Sequence, residues 1–212
     1  MSPPITVALA KGRLQEPVLA LFARAGIVVD APAASRRLWI DDASGRFRFV
    51  LVKPSDVPTY VEYGTADCGI CGGDVLLEAA PDVLAPLDLG VGACRLVVAG
   101  LRDAPRVEGR ATARVATKYP RTTTRFFHAR GLPVEVITLS GSVELAPVLG
   151  LSEHIVDVVE TGRTLEENGL AVLETVAEVS ARLVVNRAAW QLRGPELRAL
   201  VDGLRAARKG VA

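Results

Sequence analysis

The stretch that decides the fold class is His154-Ile155-Val156-Asp157-Val158-Val159-Glu160-Thr161-Gly162-Arg163-Thr164-Leu165. An apolar run typical of a buried strand is followed by a Thr-Gly-x-Thr turn and then by the start of a helical pattern. Outward from this stretch, short apolar runs keep alternating with helical patterns along the rest of the chain. That alternation predicts an α/β fold.

The turn inside this stretch has the chemistry of a phosphate site. Gly162 lets the backbone approach a ligand closely, while Thr161 and Thr164 add hydroxyl donors to the N–H groups that begin the helix. Asp157 and Glu160 would repel a bare phosphate, so they fit ribose hydroxyls or a magnesium ion shared with a diphosphate. The pattern alone leaves a plainer alternative open, a turn capped by a threonine with both acids in solvent.

Polar and basic residues follow other predicted strands. Ser140-Gly141-Ser142 comes after a strand that ends at Leu139, and it predicts either an anion-binding nest or an ordinary helix cap at Ser142. Ligands of open α/β sheets bind beyond the carboxyl ends of strands, so cations there are candidates for holding polyphosphate. The cations at predicted strand ends are Lys11, Arg13, Lys53, Arg95 and Lys118. Any one of these residues is better explained as a solvated surface charge. That explanation weakens because several of them share one topological position, the carboxyl end of a predicted strand.

The remaining segments predict two lobes. Residues 37–40 and 47–52 alternate apolar side chains and predict a hairpin at a sheet edge, while the charged segment 102–112 predicts a loop. Asp74 is the expected N-cap of one helix, and Pro195 is the expected start of the last one. The expected lobes are residues 1–92 together with 178–212, and residues 93–177.

Composition excludes several classes of protein. The chain has 212 residues, half of them hydrophobic, which excludes a disordered chain. With 25 basic and 24 acidic side chains the net charge is +1, which argues against a nucleic-acid partner bound through bulk charge. No secretory signal and no apolar run long enough to span a bilayer stand in the sequence, so we expect a soluble, cytoplasmic protein with no membrane partner.

The cysteines and histidines receive no chemical role. Cys68 and Cys71 form a Cys-x-x-Cys pattern, but it falls on a predicted strand, whereas a redox thiol is activated at a helix N-terminus. Structural zinc needs four ligands, and only Cys94 remains as a further thiol. We therefore interpret the pair as core residues. His128 and His154 have no nearby Ser or Asp constellation that would make them catalytic.

Taken together, these segments resemble the catalytic subunit of ATP phosphoribosyltransferase, the enzyme of the first step of histidine biosynthesis. The resemblance extends from residues 8–14 to residues 181–187, and its most specific stretch is DVVETGRTL at 157–165. The other segments that carry it are PSDVPTYV at 54–61, GACRL at 92–96, VATKYP at 115–120 and SGSVELAP at 140–147.

The resemblance implies a fold, a reaction and partners. The fold would be two α/β lobes, like a type II periplasmic binding protein, with the active site in the cleft. The reaction would join ATP and phosphoribosyl pyrophosphate (PRPP) at N1 of the adenine, giving phosphoribosyl-ATP and pyrophosphate, with Mg²⁺ required. The chain resembles the short form, which lacks a C-terminal regulatory domain and works in a hetero-oligomer with a histidyl-tRNA-synthetase-like regulatory subunit.

The resemblance also assigns candidate site residues. Those expected to bind PRPP are Asp157, Glu160, Thr161, Gly162, Arg163 and Thr164. Those expected to bind ATP or pyrophosphate are Lys11, Gly12, Arg13, Lys53, Gly72, Asp74, Arg95, Ser140, Gly141 and Ser142. Magnesium would be held through the substrate diphosphate, with Asp157 or Glu160 as protein ligands. No general base is assigned.

The sequence departs from the family pattern at two positions. Lys53 stands where the family often has arginine, and lysine keeps the charge but not the bidentate fork. Gly73 stands where the family often has lysine.

Two other functions compete with this one. One is a non-catalytic small-ligand binding module of the same fold. The other is a nucleotide-salvage phosphoribosyltransferase that uses a free base. Salvage enzymes usually carry two adjacent acids before the phosphate loop, whereas here Asp157 and Glu160 are separated by two valines.

Overall fold

Two β-sheets, one of six strands and one of five, organise the chain. The structure, a computed structural model, describes residues 3–29, 38–103 and 112–209. The chain divides into a first unit, Met1–Gly92 with Ser180–Ala212, and a second unit, Ala93–Val179. The predicted α/β class is confirmed. Arg37 of the predicted hairpin and residues 104–111 of the predicted loop lie outside the described residues.

The first unit contains the six-stranded sheet, in the order β2-β3-β1-β4-β11-β5. Its elements are β1 (Ile5–Ala10), α1 (Gln15–Arg24), β2 (Trp39–Asp41), β3 (Phe47–Val52), a 3₁₀ turn (Pro54–Asp56), α2 (Val57–Glu62), β4 (Cys68–Gly72), α3 (Gly73–Ala79), β5 (Leu84–Asp88), β11 (Ala181–Val185), α7 (Arg187–Leu192) and α8 (Gly194–Lys209). The strands β3, β1 and β4 are parallel, so they end at one edge of the sheet.

Both faces of this sheet are covered, which explains why β1 is apolar at almost every position. Val7 and Leu9 pack into one core with α1 and α8, and the alternate residues Ala8 and Ala10 pack into a second core with α2. The approach of α2 needs a bare backbone on β4. A Cβ on Gly69 would lie 2.8 Å from Val57 Cγ1 and 2.9 Å from the Ala8 carbonyl oxygen.

The second unit contains the five-stranded sheet, in the order β10-β6-β9-β7-β8. Its elements are β6 (Cys94–Leu101), β7 (Ala113–Thr117), α4 (Pro120–His128), β8 (Val134–Thr138), α5 (Leu145–Val148), β9 (His154–Val159), α6 (Arg163–Glu167) and β10 (Leu170–Val179). The strands β9, β7 and β8 are parallel, while β6 and β10 run antiparallel to their neighbours. One core, with α5 and α6, covers one face, and a second, with Phe126 and Phe127 of α4, covers the other.

Some local predictions were wrong. The helix expected to be capped by Asp74 begins at Gly73 with Gly72 as its N-cap, because Asp74 lies inside the first turn. Ser142 does not cap α5. Glu144 occupies that position, and Ser142 has φ +46°, which turns the chain before the helix. The strand β5 and the helix α7 were not predicted. Within the part of the chain that the structure describes, no helix is long and apolar enough to cross a bilayer.

Candidate active site

The turn after β9 leads into a short helix and carries exposed polar side chains. Gly162 is the N-cap of α6 with φ +84°, a left-handed conformation that glycine adopts without strain. The Arg163 N–H donates a 3.4 Å hydrogen bond to Thr161 Oγ1, and the side chains of Thr161, Arg163 and Thr164 are exposed. The first N–H groups of a helix have no partner within it. Since α6 has only five residues, these local N–H groups and hydroxyls, rather than a long helix dipole, are what the turn offers an anion.

The two acids of the stretch lie directly before the turn. Asp157 is half-buried on β9, and its Oδ1 accepts a hydrogen bond of 2.8 Å from the Val158 N–H. Glu160 is exposed and is the first residue after the strand. In this position the acids can accept hydrogen bonds from a diol whose phosphate sits on the turn.

The topology of the second sheet brings other predicted residues to the same edge. Arg95 of β6 pairs in register with Val159, the last residue of β9. Ser140, Gly141 and Ser142 are exposed and follow the end of β8, which lies two strands from β9. Neighbouring strands are about 4.8 Å apart, so this segment begins roughly 10 Å from the end of β9.

The remaining predicted residues belong to the first unit and gather at the carboxyl edge of its parallel strands. The Lys11 N–H donates a 2.9 Å hydrogen bond to the Val52 carbonyl, which places Lys11 beside Lys53. Gly12 has φ +92°, and its carbonyl accepts from the Gln15 N–H at the start of α1. The side chains of Lys11, Arg13 and Lys53 are exposed.

Gly72 and Asp74 are linked by a steric requirement at the end of β4. A Cβ on Gly72 would collide with Oδ1 of Asp74, because that carboxylate folds back over the first turn of α3. The Gly73 N–H donates a 2.9 Å hydrogen bond to the Ser180 carbonyl, which holds this turn against the start of β11. Gly72 is therefore needed for the position of Asp74.

A carboxylate that the sequence reasoning missed lies at the same edge of the first unit. Asp88 Oδ1 accepts from the Gly90 N–H at 2.8 Å and from Ser180 Oγ at 2.9 Å, and Arg182 pairs with its other oxygen. Burial raises the pKa of Asp88, but these hydrogen bonds and the charges of Arg182 and Arg208 outweigh it, so the pKa is lowered. The sequence gives little signal for this group, because apart from the Gly90 N–H its named partners, such as Ser180 at 92 residues' separation, are distant in the chain.

A buried threonine is the second residue that the sequence reasoning missed. Thr117, the last residue of β7, is fully buried and donates a 2.6 Å hydrogen bond from Oγ1 to the Val156 carbonyl. The same oxygen accepts from the Tyr119 N–H at 2.9 Å and lies 3.4 Å from Thr123 Oγ1. A hydroxyl at the end of an otherwise apolar strand was the available signal.

The cysteines lie in the core, as interpreted from the sequence. Cys68, Cys71 and Cys94 are buried free thiols. Cys68 and Cys71 pack into cores on opposite faces of β4, so their sulfurs cannot share a disulfide or a metal. Burial, and secondarily the charge of Asp74, raises the pKa of Cys71 to about 12, and burial also raises that of Cys68. Among the described residues, no group of three or more His, Cys, Asp or Glu side chains could hold a metal ion.

Comparison with known proteins decides between the candidate functions. The ATP phosphoribosyltransferase (HisG) family model matches residues 53–206. The chain is 52% identical to the ATP phosphoribosyltransferase of Sorangium cellulosum over 211 residues, which covers 99% of each protein. It is 48% identical to that of Caldanaerobacter subterraneus over 204 residues, covering 95% of this chain and 96% of the relative. The chain belongs to the ATP phosphoribosyltransferase family.

Solved structures agree with this assignment. An ATP phosphoribosyltransferase from Thermotoga maritima, solved as a HisG:HisZ complex, matches with a TM-score of 0.84 and 33% identity, covering 97% of this chain and 99% of that one. The sulphonate-binding protein SsuA of Escherichia coli matches with a TM-score of 0.64 at 13% identity, covering 98% of this chain and 73% of that one. At that identity the match shows the fold alone, and it confirms the expected likeness to periplasmic binding proteins.

The family assignment settles the class of reaction. The predicted phosphoribosyl-transferring enzyme of the first step of histidine biosynthesis is confirmed. Neither the non-catalytic binding module nor the salvage enzyme that uses a free base is favoured, since relatives that are 46–52% identical to the chain share the name ATP phosphoribosyltransferase.

Proposed function

We propose that the second unit binds PRPP and that its 5-phosphoribosyl group passes from there to N1 of the adenine of ATP. The observation that carries this proposal is the single sheet edge where a turn of N–H groups and hydroxyls follows two carboxylates on β9. The 5-phosphate sits on the N–H groups and hydroxyls of Thr161, Gly162 and Thr164, with Arg163 beside it. Asp157 and Glu160 accept hydrogen bonds from the ribose hydroxyls.

The reaction requires no proton to be removed before attack. N1 of adenine is a neutral nitrogen whose lone pair forms the new bond to C1 of the ribose. The bond from C1 to the pyrophosphate oxygen breaks, and its electron pair leaves with pyrophosphate. Positive charge develops on the ribose and negative charge on the leaving group, so electrostatic stabilisation and positioning supply the catalysis. This explains why no general base is needed at the site.

The basic residues stabilise the negative charge. Arg95 binds the departing pyrophosphate, and its pairing in register with Val159 at the end of β9 supports this role. In the first unit, Lys11, Arg13 and Lys53 receive ATP phosphates, with the turns at Gly12 and Gly72 and the carboxylate of Asp74 shaping that edge. In the second unit, Ser140, Gly141 and Ser142 add hydroxyl and N–H donors for pyrophosphate or ATP.

Members of this family use a divalent metal, and we propose Mg²⁺. The described residues supply no complete set of metal ligands, which fits an ion that is carried mainly by substrate phosphates and held by one or two carboxylates. Asp157 or Glu160 would be that protein ligand. At this position the ion would supply positive charge to offset the negative charge on pyrophosphate.

We further propose that the chain works with a regulatory subunit of the histidyl-tRNA-synthetase-like kind in a hetero-oligomer. Support comes from the relative of Thermotoga maritima, which was solved as a HisG:HisZ complex and matches this chain over nearly its whole length.

A cytoplasmic location is proposed as well, because the three cysteines are free thiols and both substrates are metabolites of the cell interior.

The test is release of pyrophosphate from ATP, PRPP and Mg²⁺, with and without the regulatory subunit. We expect turnover that depends on all three components and that rises when the subunit is added. Replacing ATP with free adenine should abolish turnover. Turnover with adenine, or none with ATP under either condition, would contradict the proposal.

A further inference from the structure

Lys118 follows the strand that lies between the two candidate anion-binding segments of the second unit. The strand β7 is parallel to β9 on one side and to β8 on the other, and the three end at one edge. Residues 160–164 follow β9, and residues 140–142 follow β8. The residue after β7 therefore leaves the sheet between these two segments.

The register places Lys118 one residue beyond the last pair that joins β7 to β9. Ala116 pairs with Ile155 and Thr117 pairs with Val156, so one further step along both strands reaches Lys118 and Asp157. Ala116 and Ile155 pack into the same core, and Lys118 lies in the bend that directly follows β7. A lysine and a carboxylate thus directly follow the last pair of this ladder, at the edge where the ribose is proposed to sit.

Lys118 forms no ion pair with a described carboxylate. Its side chain is exposed, and within residues 3–29, 38–103 and 112–209 no carboxylate lies within ion-pair distance of it. By contrast, Arg114, Arg130 and Arg163 of the same unit each pair with a glutamate at 2.8–3.1 Å. An exposed cation with no structural partner at this edge is available to a ligand anion.

The backbone on both sides of Lys118 is held by one buried hydroxyl. Thr117 Oγ1 donates to the Val156 carbonyl, directly before Asp157, and accepts from the Tyr119 N–H, directly after Lys118. With Thr123 as a third neighbour, this hydroxyl uses its donor and both acceptor sites. It fixes the end of β7 and the end of β9 relative to each other.

We propose that Lys118 binds a phosphate group of a substrate and that Thr117 is the positioning residue that holds it in place. The inference rests on the proposed function, because it takes the edge of the second sheet as the substrate site. The phosphate is that of PRPP or of ATP, and separate Michaelis constants for the two substrates identify which one.

The experiment compares Lys118→Met, Lys118→Arg and Arg125→Met in the complex with the regulatory subunit. Loss of one charge-assisted hydrogen bond should raise the KM of one substrate about tenfold in Lys118→Met, and Lys118→Arg should recover most of the loss. Arg125 is a matched control, because it is exposed on α4 of the same unit and lies in the last turn of that helix. An increase in the KM of PRPP or of ATP supports the proposal, whereas both constants within twofold of wild type overturn it.

Thr117 is tested by a double-variant cycle with Thr117→Val, Lys118→Met and their combination. If Thr117 acts through Lys118, the double variant should show nearly the same KM as Lys118→Met alone, and Thr117→Ser should behave like wild type. Additive effects would assign Thr117 a merely structural role. Because Lys118 is exposed, its own variants decide the phosphate contact even where Thr117→Val gives no folded enzyme.

Failure of this inference can be told apart from failure of the proposed function. Absence of transfer by the wild-type complex refutes the function itself. Transfer with a wild-type KM in Lys118→Met, together with a raised KM in Thr161→Ala, refutes only the role of Lys118.

Discussion

At the scale of single residues, Gly162 joins backbone geometry to binding. Its φ of +84° turns the chain from the end of β9 into α6, and a Cβ there would meet only Val159 Cγ1 at an ordinary 3.8 Å. The need for glycine is therefore conformational and not a matter of space. A β-branched residue held in this conformation costs about 1–3 kcal/mol, which the turn can relieve by changing its shape.

We predict that Gly162→Val and Thr161→Ala weaken PRPP binding. The first change reshapes the turn and the second removes a hydroxyl, so the KM for PRPP should rise about five- to tenfold or more, with a smaller change for ATP. Steady-state kinetics with each substrate varied in turn measures this. Gly169→Val is the control, because Gly169 has φ +71° and open space around it but lies after α6. Equal KM values in wild type and in both turn variants would contradict the assignment of this turn to the PRPP site.

The buried thiols lead to a second prediction at this scale. Because the pKa of Cys71 is raised to about 12 and that of Cys68 is also raised, both stay protonated through pH 9 and should not react with a thiol reagent in the native protein. Full labelling should appear only in denaturant. The Cys68→Ala, Cys71→Ala double variant should keep kcat/KM within about threefold while losing stability through the cavities it creates. Loss of turnover in a folded double variant would revive a chemical role.

At the scale of elements, an ion pair opposite the candidate site sets the pairing of β7 with β9. Burial alone would raise the pKa of Glu153, but hydrogen bonds from the Arg114 backbone N–H, at 2.8 Å, and from its guanidinium, at 3.1 Å, outweigh it and lower the pKa to about 2. A depressed carboxylate pKa stabilises the fold above the ordinary value of about 4.5. That stabilisation fades as the pH falls toward 2.

Glu153→Gln should therefore lower the free energy of unfolding by about 1–2 kcal/mol at pH 7, with a shrinking difference from wild type as the pH falls below 4.5. Urea titrations between pH 7 and pH 3 measure both effects. Glu167→Gln is the control, since its pair with Arg163 is exposed on both sides and should contribute little at any pH. A difference that grows in acid would contradict the assigned sign.

Some helices and strands could be predicted from the sequence and others could not. The β9 turn and its helix were predictable because an apolar run, a glycine and a helical pattern follow one another within twelve residues. The strand β5 was missed because Pro86 interrupts a short run at the edge of the sheet, and α7 was missed because only Ala189 of its six residues is buried. Placing Arg95 level with Val159 requires strand register, which depends on contacts distant in sequence.

At the scale of the whole molecule, one arginine of the C-terminal segment binds the N-terminal residues within the first unit. The Arg193 guanidinium donates to the carbonyl oxygens of Pro3 and Pro4 at 2.7 and 3.1 Å and to Asp67 at 3.1 Å. Asp67 also accepts from the Thr6 N–H at 2.8 Å. The side chain of Arg193 is only 17% exposed, so these bonds are shielded from water.

We predict that Arg193→Met destabilises the first unit by about 2–3 kcal/mol, because it removes the ion-pair partner of Asp67 and the donor to two carbonyls. Both tryptophans of the chain, Trp39 and Trp190, lie in that unit, so fluorescence follows its unfolding selectively. In urea, the fluorescence transition should move to lower concentration. Arg205→Met, which breaks an exposed pair with Asp202, should lower the free energy of unfolding by less than about 1 kcal/mol. Equal shifts in both variants would contradict the role of Arg193.

The position of β11 between β4 and β5 has a consequence for synthesis of the protein. A ribosome delivers β4 and β5 early, yet the strand that must separate them emerges only after the entire second unit has been translated. The first sheet of the nascent chain therefore lacks its strand between β4 and β5 at the stage when residues 93–179 can already form their own sheet. A message with a stop codon near position 180 would yield an intact second unit attached to an unfinished first one.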